Sequence, residues 1–361
     1  MDWQSFFRSN LEQVETYRPG LREEQVRELV EADDLYKLSS NESPLPPFPA
    51  ALEALQGKLS TLNEYPDGSS YELTQYLSEH YHVPAEEIVI GNGSNELIDL
   101  IAATCLDPGD NAVYPWPSFV VYRSSTLIQN AECREVPLKG VGQLDLDGML
   151  ARIDGRTKVV YICTPNNPSG ATVGKAEFEA FLERVPDHVL VVADAAYEEF
   201  IDDETAMKPL DYFDGKRPYA VLRTFSKMYA LAGIRCGYGF APAPLIEVLH
   251  KVREPFNVNT LAQAAAIASL KDGEELARRV ALNKLGKERL QANFETLGLR
   301  YVPSQANFVW VEVADPAGTF DKLLKRGVIV RAFPGGGGLR VGIGDTQGVN
   351  ATIAAFNEIF G

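Results

Sequence analysis

Short apolar runs recur through the first two thirds of the chain, and turn residues bound each of them. They lie at Ile88–Ile90, Val113–Tyr114, Val159–Ile162, Val189–Val192 and Tyr219–Leu222. Segments of helix length, such as Lys175–Arg184, separate these runs. Continuous apolar strands that alternate with helices are typical of a parallel sheet covered on both faces. The pattern therefore predicts an α/β domain with a mostly parallel sheet between helices.

The pattern changes after about residue 243. Residues 259–297 are rich in helix-forming Ala, Leu, Glu, Arg and Lys, with an interruption at Lys271–Gly273. Strand candidates follow at Phe308–Val311, Val328–Val330 and Leu339–Ile343, before a closing helix. This mixture predicts a smaller α+β domain.

The N-terminal region differs from both. Residues 1–35 are charged and predict a helix with a turn at Arg18–Gly20, whereas four prolines in Asn41–Pro49 exclude regular structure there. We expect an N-terminal arm and part of the small domain in residues 1–44. The large domain is expected in 45–245 and the rest of the small domain in 246–361.

The composition is that of an ordinary globular protein, 45% hydrophobic and 23% charged. A formal net charge of -16 argues against a nucleic acid or an anionic membrane as partner. The four cysteines form no C-x-x-C pair, and the N-terminus does not resemble a signal peptide. No apolar stretch is long enough to span a membrane. These features predict a cytoplasmic protein with reduced thiols.

Lys227 is the first candidate for chemistry. It follows Thr224 and Ser226 in a T-F-S-K sequence and precedes Arg235 by eight residues. A lysine next to a hydroxyl and near an arginine suits a Schiff-base amine beside a phosphate clamp. The alternative for such a lysine, taken alone, is an ordinary surface residue.

Polar sequences follow several of the predicted strands. Gly91–Glu96 ends a strand and opens a helix, where backbone N–H groups attract an anion, although a capped structural turn has the same pattern. Thr164–Gly170 is a rigid turn that can aim the Asn167 amide into a cleft at the sheet edge. Asp194 ends another apolar strand, where a carboxylate is costly unless it is paired or functional. It could pair with a cationic ring nitrogen or cap a helix, and Tyr197 could reach a neighbouring phenolic oxygen.

The order of these motifs resembles the fold-type I aminotransferases, which use pyridoxal 5'-phosphate. The motifs are S-N-E-S-P, Y-P-D, G-N-G-S-N-E, P-S-F-V-V-Y, P-N-N-P-S-G, D-A-A-Y, T-F-S-K and R-C-G-Y. Within that superfamily the chain is most similar to histidinol-phosphate aminotransferases, in its short length, its A-L-A-G-x-R-C-G stretch and its last two arginines. The resemblance covers nearly the whole chain and implies a seven-stranded large domain plus a smaller domain built from both termini.

The resemblance also implies how the cofactor ring would be held. Lys227 would carry it as a Schiff base, Asp194 would pair with the pyridine nitrogen, and Phe119 would stack on the ring. Asn167 and Tyr197 would bond its phenolic oxygen.

The remaining implied roles concern the cofactor phosphate and the substrate. Ser94, Asn95, Thr224, Ser226 and Arg235 would surround the cofactor phosphate. Tyr65 would reach the same phosphate from the second subunit of a homodimer with shared active sites. Arg340 would take a substrate carboxylate, Arg331 and Tyr17 would bind a substrate phosphate, and Asn41 would belong to the substrate site.

The implied reaction converts histidinol phosphate and 2-oxoglutarate into imidazole acetol phosphate and glutamate, so the partners are an amino donor and a 2-oxo acid. An aromatic amino-acid aminotransferase and a phosphate-recognising decarboxylase remain alternatives, and a regulatory module on the same scaffold is a third. The segment between Arg331 and Arg340 is shorter than in most relatives. Asn41–Pro44 also reads N-E-S-P where N-E-N-P is usual. Both departures lie where the distal group of a substrate would bind.

Overall fold

The computed structural model describes residues 3–16, 26–27, 30 and 34–361. The α-helices of this part span Pro49–Lys58, Tyr71–Tyr81, Ser94–Cys105, Val120–Ile128, Leu146–Leu150, Lys175–Leu182, Ala243–Val252, Thr260–Lys271, Gly273–Thr296, Pro316–Leu324 and Thr346–Phe360. None of the helices in these ranges is both long and apolar enough to cross a bilayer.

The strands, in chain order, are β1 (Tyr36–Lys37), β2 (Ile88–Gly91), β3 (Asn111–Trp116), β4 (Glu132–Pro137), β5 (Thr157–Cys163), β6 (Leu190–Asp194), β7 (Tyr219–Thr224), β8 (Gly237–Phe240), β9 (Phe308–Glu312), β10 (Val328–Ile329), β11 (Arg331–Phe333) and β12 (Gly338–Gly342). Every apolar run that predicted a strand coincides with one of these or overlaps it.

A seven-stranded sheet with the order β2-β8-β7-β6-β5-β3-β4 forms the centre of the molecule. Only β8 runs antiparallel to its neighbours in this sheet. Side chains alternate between its faces, so Val160 and Ile162 of β5 enter one apolar cluster while Val159 and Tyr161 enter the other. The predicted mostly parallel sheet, buried on both faces, is confirmed.

A second, smaller group of elements lies beside this sheet. Strands β11, β12 and β9 form an antiparallel sheet, and β1 pairs in parallel with β10. The long helix Gly273–Thr296 and the last helix Thr346–Phe360 cover it, with Phe294 and Phe356 buried in a common core. Segments from both ends of the chain therefore share this unit, while the domain boundaries at residues 44 and 245 stay our proposal.

The prediction of an N-terminal helix is wrong for residues 3–13, whereas Val26 and Arg27 are helical and the Val30 amide donates to the Val26 carbonyl at 3.0 Å. Residues 3–13 form two short 3₁₀ turns, Trp3–Phe6 and Ser9–Gln13, and the chain is extended at Val14. The apolar side chains of this segment (Trp3, Phe6, Phe7 and Leu11) stay exposed, so no packing of an apolar face stabilises a longer helix here. The predicted turn at Arg18–Gly20 lies outside the described residues.

Two local signals in the sequence define helix ends. The interruption at Lys271–Gly273 is a helix start, because the side chain of Asp272 accepts a hydrogen bond from the Glu275 amide at 3.1 Å. The proline-rich segment is irregular up to Phe48, and its last proline, Pro49, begins a helix as its first residue.

Candidate active site

The carboxyl ends of β5, β6 and β7 meet at one edge of the central sheet, with Cys163 beside Asp194 and Asp194 beside Leu222. A cavity of about 380 Å³ opens at this edge. Ligands of open α/β sheets bind at such edges because the loops after parallel strands converge there. The predicted site residues that line the cavity are Asn41, Ser94, Asn95, Phe119, Asn167, Asp194, Tyr197, Thr224, Ser226, Lys227, Arg235, Arg331 and Arg340.

Two further residues are predicted for the site, Tyr17 and Tyr65. Tyr17 lies outside the described residues. Tyr65 is 82% exposed and stacks on Phe256, with ring centroids 4.8 Å apart. It does not contact the cavity of its own chain, and its proposed reach into a second subunit stays a prediction.

Lys227 lies in the turn that follows β7 and borders the cavity. Its Nζ donates to the carbonyl of Ser40 at 3.4 Å and lies 5.8 Å from the centre of the Tyr197 ring. Burial, helped by the positive charge of Arg340, lowers the pKa of Lys227 to about 8. Near neutral pH a much larger fraction of this amine is neutral than for an exposed lysine, so it can act as a nucleophile.

Asp194, the last residue of β6, is a buried carboxylate with 2% exposure. Tyr122 donates its hydroxyl hydrogen to Oδ2 at 2.6 Å, and the Ala196 amide donates to Oδ1 at 3.2 Å. Burial raises the pKa of Asp194, and the hydrogen bond from Tyr122 acts in the opposite direction. A carboxylate held in this way can pair with a cationic ring nitrogen.

Two backbone segments approach each other closely beside Ser94, which lines the cavity. Gly93 has a φ of +81° and precedes the helix that starts at Ser94. A Cβ atom on Gly237 of β8 would lie 2.6 Å from the carbonyl carbon of Gly93 and from the amide nitrogen of Ser94. Only glycine at position 237 lets the strand and the helix start approach this closely.

Arg235 extends over the same helix start. Its Nη1 donates to Ser226 Oγ at 3.3 Å, and its Nη2 donates to the Asn92 carbonyl at 3.3 Å. The hydroxyl of Thr224 accepts from the Ser226 amide at 3.1 Å. Helix N–H groups, hydroxyls and a guanidinium at one end of a cavity are a donor set suited to a phosphate.

The Thr164–Gly170 turn is fixed by its first asparagine. Asn166 is buried, accepts from Ser118 Oγ at 2.7 Å and donates to Ser169 Oγ at 3.1 Å. The second asparagine, Asn167, lies at the cavity, where its Oδ1 accepts from Arg340 Nη1 at 2.5 Å. The predicted orientation of the Asn167 side chain toward the cleft therefore agrees with the structure, and its link to Arg340 is additional.

Successive backbone carbonyls of Leu38–Asn41 accept hydrogen bonds from the surrounding elements. The Leu38 carbonyl accepts from the Gly342 amide at 3.0 Å, and that of Ser39 from Arg340 Nη2. Ser40 accepts from Lys227, and Asn41 from Asn307 Nδ2 at 3.0 Å. This carbonyl row brings the N-terminal segment into the cavity wall.

Arg331 and Arg340 lie directly opposite each other on β11 and β12, and both line the cavity. Like charges in opposite positions of a strand pair repel each other. Phe333 also lines the cavity, and its ring centre lies 6.0 Å from the Arg340 guanidinium. Two arginines in one wall of a cavity are suited to an anionic ligand.

Sequence reasoning missed several residues of the site. Tyr122 lies in the P-S-F-V-V-Y motif, one helical turn after Phe119, and this spacing could have indicated it. Ser118, Glu42 and Phe333 also line the cavity. Ser118 and Glu42 lie inside the P-S-F-V-V-Y and S-N-E-S-P motifs, next to the predicted Phe119 and Asn41, whereas no local pattern indicates Phe333.

The chain matches a family described as aminotransferase class I and II over residues 33–356. The histidinol-phosphate aminotransferase of Moorella thermoacetica is 41% identical over 351 residues, which cover 96% of this chain and 91% of that protein. The histidinol-phosphate aminotransferase 2 of Pseudomonas aeruginosa is 43% identical over 349 residues, or 95% and 94% of the two chains.

Solved structures show the same similarity. The crystal structure of histidinol-phosphate aminotransferase from Sinorhizobium meliloti in complex with pyridoxal-5'-phosphate superposes with a TM-score of 0.89 at 25% identity, over 99% of this chain and 98% of that one. Aspartate aminotransferase from Thermus thermophilus with maleate has the same fold, with a TM-score of 0.82 at 22% identity, over 93% and 94%. The family match and the alignments span most of the chain, which therefore belongs to the class I and II aminotransferase family.

Proposed function

We propose that this protein transfers the amino group of histidinol phosphate to 2-oxoglutarate in histidine biosynthesis, with pyridoxal 5'-phosphate held at Lys227. Family membership and the names of the aligned relatives support pyridoxal-phosphate-dependent transamination. One observation is the main support for the proposal. Lys227, an amine of lowered pKa, and Asp194, a buried carboxylate, line the same cavity as a group of hydrogen-bond donors suited to a phosphate.

The residues present fit the cofactor. Arg235, Ser226 and the helix start at Ser94 provide donors for its phosphate, Asp194 provides the counter-charge for its ring nitrogen, and Lys227 provides the amine for its aldehyde. When bound, pyridoxal 5'-phosphate supplies an electron sink for bond breaking at the carbon that bears the amino group.

The protein side chains supply proton transfer and charge. The Nζ of Lys227 can take a proton from the substrate carbon and return it, which contributes roughly 10²–10⁴-fold to the rate. Burial raises the pKa of Tyr197, so its hydroxyl stays protonated and can donate to the phenolic oxygen of the cofactor, together with Asn167. Asp194 keeps a negative charge where the ring needs its nitrogen protonated.

Arg331 and Arg340 are proposed to select anionic substrates. Histidinol phosphate brings a phosphate and 2-oxoglutarate brings two carboxylates, so each substrate offers anionic oxygens to the two arginines. Arginine suits both groups because its planar fork binds their oxygens in pairs. Asn41 and Tyr17 belong to the proposed substrate site.

We further propose a homodimer that works in the cytoplasm. Several apolar side chains are exposed in one region: Leu59, Leu62 and Tyr65 are near one another in the sequence, and Phe256 contacts Tyr65. Exposed apolar side chains grouped in this way favour a subunit contact. Tyr65 would reach the partner's cofactor phosphate from there. The four cysteines are free thiols, as expected in a reducing compartment. Sedimentation of wild-type protein tests the dimer.

Borohydride reduction followed by peptide mapping tests the covalent link. The expected result is a reduced cofactor adduct on Lys227 and its loss in the Lys227→Ala variant, and an adduct on another lysine would contradict the proposal. Half-reaction rates with histidinol phosphate and phenylalanine test the donor. A clear preference for histidinol phosphate is expected, whereas faster reaction with phenylalanine would favour the aromatic alternative, and released carbon dioxide the decarboxylase.

A further inference from the structure

Tyr122 is a fully buried tyrosine that contacts Asp194 but is not among the residues that line the cavity. It lies in the first turn of the helix Val120–Ile128, one turn after Phe119, whose ring it meets edge-on at 5.8 Å between centroids. Its hydroxyl donates to Asp194 Oδ2 at 2.6 Å. A hydrogen bond of this length to a carboxylate is of the strong, charge-assisted type.

The carboxylate of Asp194 accepts few hydrogen bonds. Within residues 34–361, the hydrogen bonds to its carboxylate come from Tyr122 and from the Ala196 amide, and no salt bridge reaches it. A buried carboxylate with so few donors depends strongly on each of them, because burial favours its neutral form. Tyr122 is the side chain that provides such a donor.

We propose that Tyr122 is a positioning residue for the reaction: its hydroxyl fixes the orientation of Asp194 and keeps its carboxylate ionised for the cationic ring nitrogen of the cofactor. The inference rests on the proposed function, because it assigns to Asp194 the role of counter-charge. Tyr122 acts through Asp194 and does not itself contact the cavity.

The groups around Asp194 determine the direction in which loss of the Tyr122 hydroxyl shifts the pKa of Asp194. The positive charge of Lys227 and the hydrogen bond from Tyr122 both lower the pKa of Asp194, against the larger effect of burial. Cys163 and Tyr197 also face this carboxylate, and burial raises the pKa of each, so both remain neutral. Without the Tyr122 hydroxyl the pKa of Asp194 rises, and the ionised form is lost at a higher pH as the solution is acidified.

The neighbouring Tyr161 gives a matched control. Its ring stacks on that of Tyr122, with centroids 4.7 Å apart and an angle of 13° between the planes. It is equally buried, and its hydroxyl has no hydrogen-bond partner in the part of the chain that the structure describes. Tyr161→Phe therefore removes a buried hydroxyl from the same stack without touching Asp194.

The experiment compares holoenzymes carrying Tyr122→Phe or Tyr161→Phe. Equilibrium dialysis gives the dissociation constant of pyridoxal 5'-phosphate, and the pH dependence of kcat gives the acid limb. We expect Tyr122→Phe to weaken cofactor binding about tenfold and to move the acid limb upward by about one pH unit. For Tyr161→Phe we expect a change within about twofold in binding and an unmoved acid limb.

The double variant Asp194→Asn/Tyr122→Phe tests whether Tyr122 acts through Asp194. If it does, the second substitution adds no loss of cofactor binding to that of Asp194→Asn. Equal effects of Tyr122→Phe and Tyr161→Phe, or a full additional loss in the double variant, would overturn the inference. The double variant also keeps the test informative if Tyr122→Phe alone does not fold, because it contains no unpaired buried charge. A wild-type enzyme without an adduct on Lys227 would instead overturn the proposed function.

Discussion

The side-chain amide of Asn41 donates a hydrogen bond to the hydroxyl of Tyr197, with 3.0 Å between Nδ2 and Oη. Both residues are buried, and 156 positions separate them in the sequence. Asn41 has a φ of +54°, a left-handed conformation that asparagine tolerates better than most residues. Because the amide nitrogen only donates, the Tyr197 oxygen accepts here and its own hydrogen stays available for another acceptor.

Substitution of Asn41 can separate the donor from the backbone conformation. Asn41→Gly removes the donor and keeps the left-handed backbone, so kcat should fall about fivefold to tenfold through the lost hydrogen bond. Asn41→Ala should show the same loss of kcat and a further loss of stability of about 1–2 kcal/mol from backbone strain. Steady-state kinetics and urea unfolding measure the two effects. Wild-type kcat in Asn41→Gly would show that the position matters for its backbone alone, and a raised KM would favour direct contact with substrate.

Arg340 should control the protonation of Lys227. Burial is the main cause of the lowered pKa of Lys227, and the positive charge of Arg340 is the next. Arg340→Gln removes that charge, so the pKa of Lys227 rises and the neutral amine forms only at higher pH. The rate of cofactor attachment to apoprotein, measured against pH, should then have its midpoint above about 8. Arg340→Lys keeps the charge and should leave the midpoint near its original position, and coincident profiles for wild type and Arg340→Gln would contradict the argument.

Arg223 is buried between two carboxylates and should be important for folding. Its Nη1 lies 2.8 Å from Glu198 and its Nη2 2.9 Å from Glu199, with 6% of its side chain exposed. Arg223→Met leaves the carboxylates of Glu198 and Glu199, whose side chains are 17% and 8% exposed, without this partner and should lower the free energy of unfolding by about 3–5 kcal/mol. Lys251→Met removes the exposed pair with Glu247 and should cost less than about 1 kcal/mol. Urea denaturation of both variants measures this, and similar losses would count against the buried pair.

Gly237 should be required for the phosphate end of the cavity. In Gly237→Ala the new Cβ meets backbone atoms of Gly93 and Ser94 at 2.6 Å, which forces the strand away from the helix start. The resulting shift should weaken cofactor binding by the apoprotein at least about fivefold. Gly233→Ala is the control, since a Cβ at that glycine meets nothing within 4 Å. Dialysis against pyridoxal 5'-phosphate compares the two, and unchanged binding by Gly237→Ala would refute the close-approach argument.

The sequence predicted the strands whose burial is visible in local composition. β5 and β6 are continuous apolar runs because helices cover both faces of the sheet. Such a run can be recognised as a buried strand from the local sequence alone. Two strands of the same sheet escaped prediction. β4 is a polar edge strand of sequence ECREVP, and β8 carries Gly237 and Gly239, which fit by their small size and not by hydrophobicity.

The same distinction applies to the site, where local motifs indicated the lining residues but not the contacts between distant segments. The motifs indicated most of the cavity wall, because each is a short segment after a strand or at a helix start. They could not indicate which residues would bond to one another. The Arg340 to Asn167 bond joins residues 173 positions apart, and the Tyr122 to Asp194 bond joins residues 72 apart. Such pairs depend on how the segments meet in the folded chain, which no local pattern encodes.

The carbonyl row of Leu38–Asn41 has a consequence for the affinity of anionic ligands. Arg340 and Lys227 donate hydrogen bonds to the peptide oxygens of Ser39 and Ser40. An anion that binds Arg340 must first replace a neutral acceptor supplied by the protein itself. The main chain thus acts as an internal competitor of the substrate, and the net gain from each new contact is the difference between two hydrogen bonds.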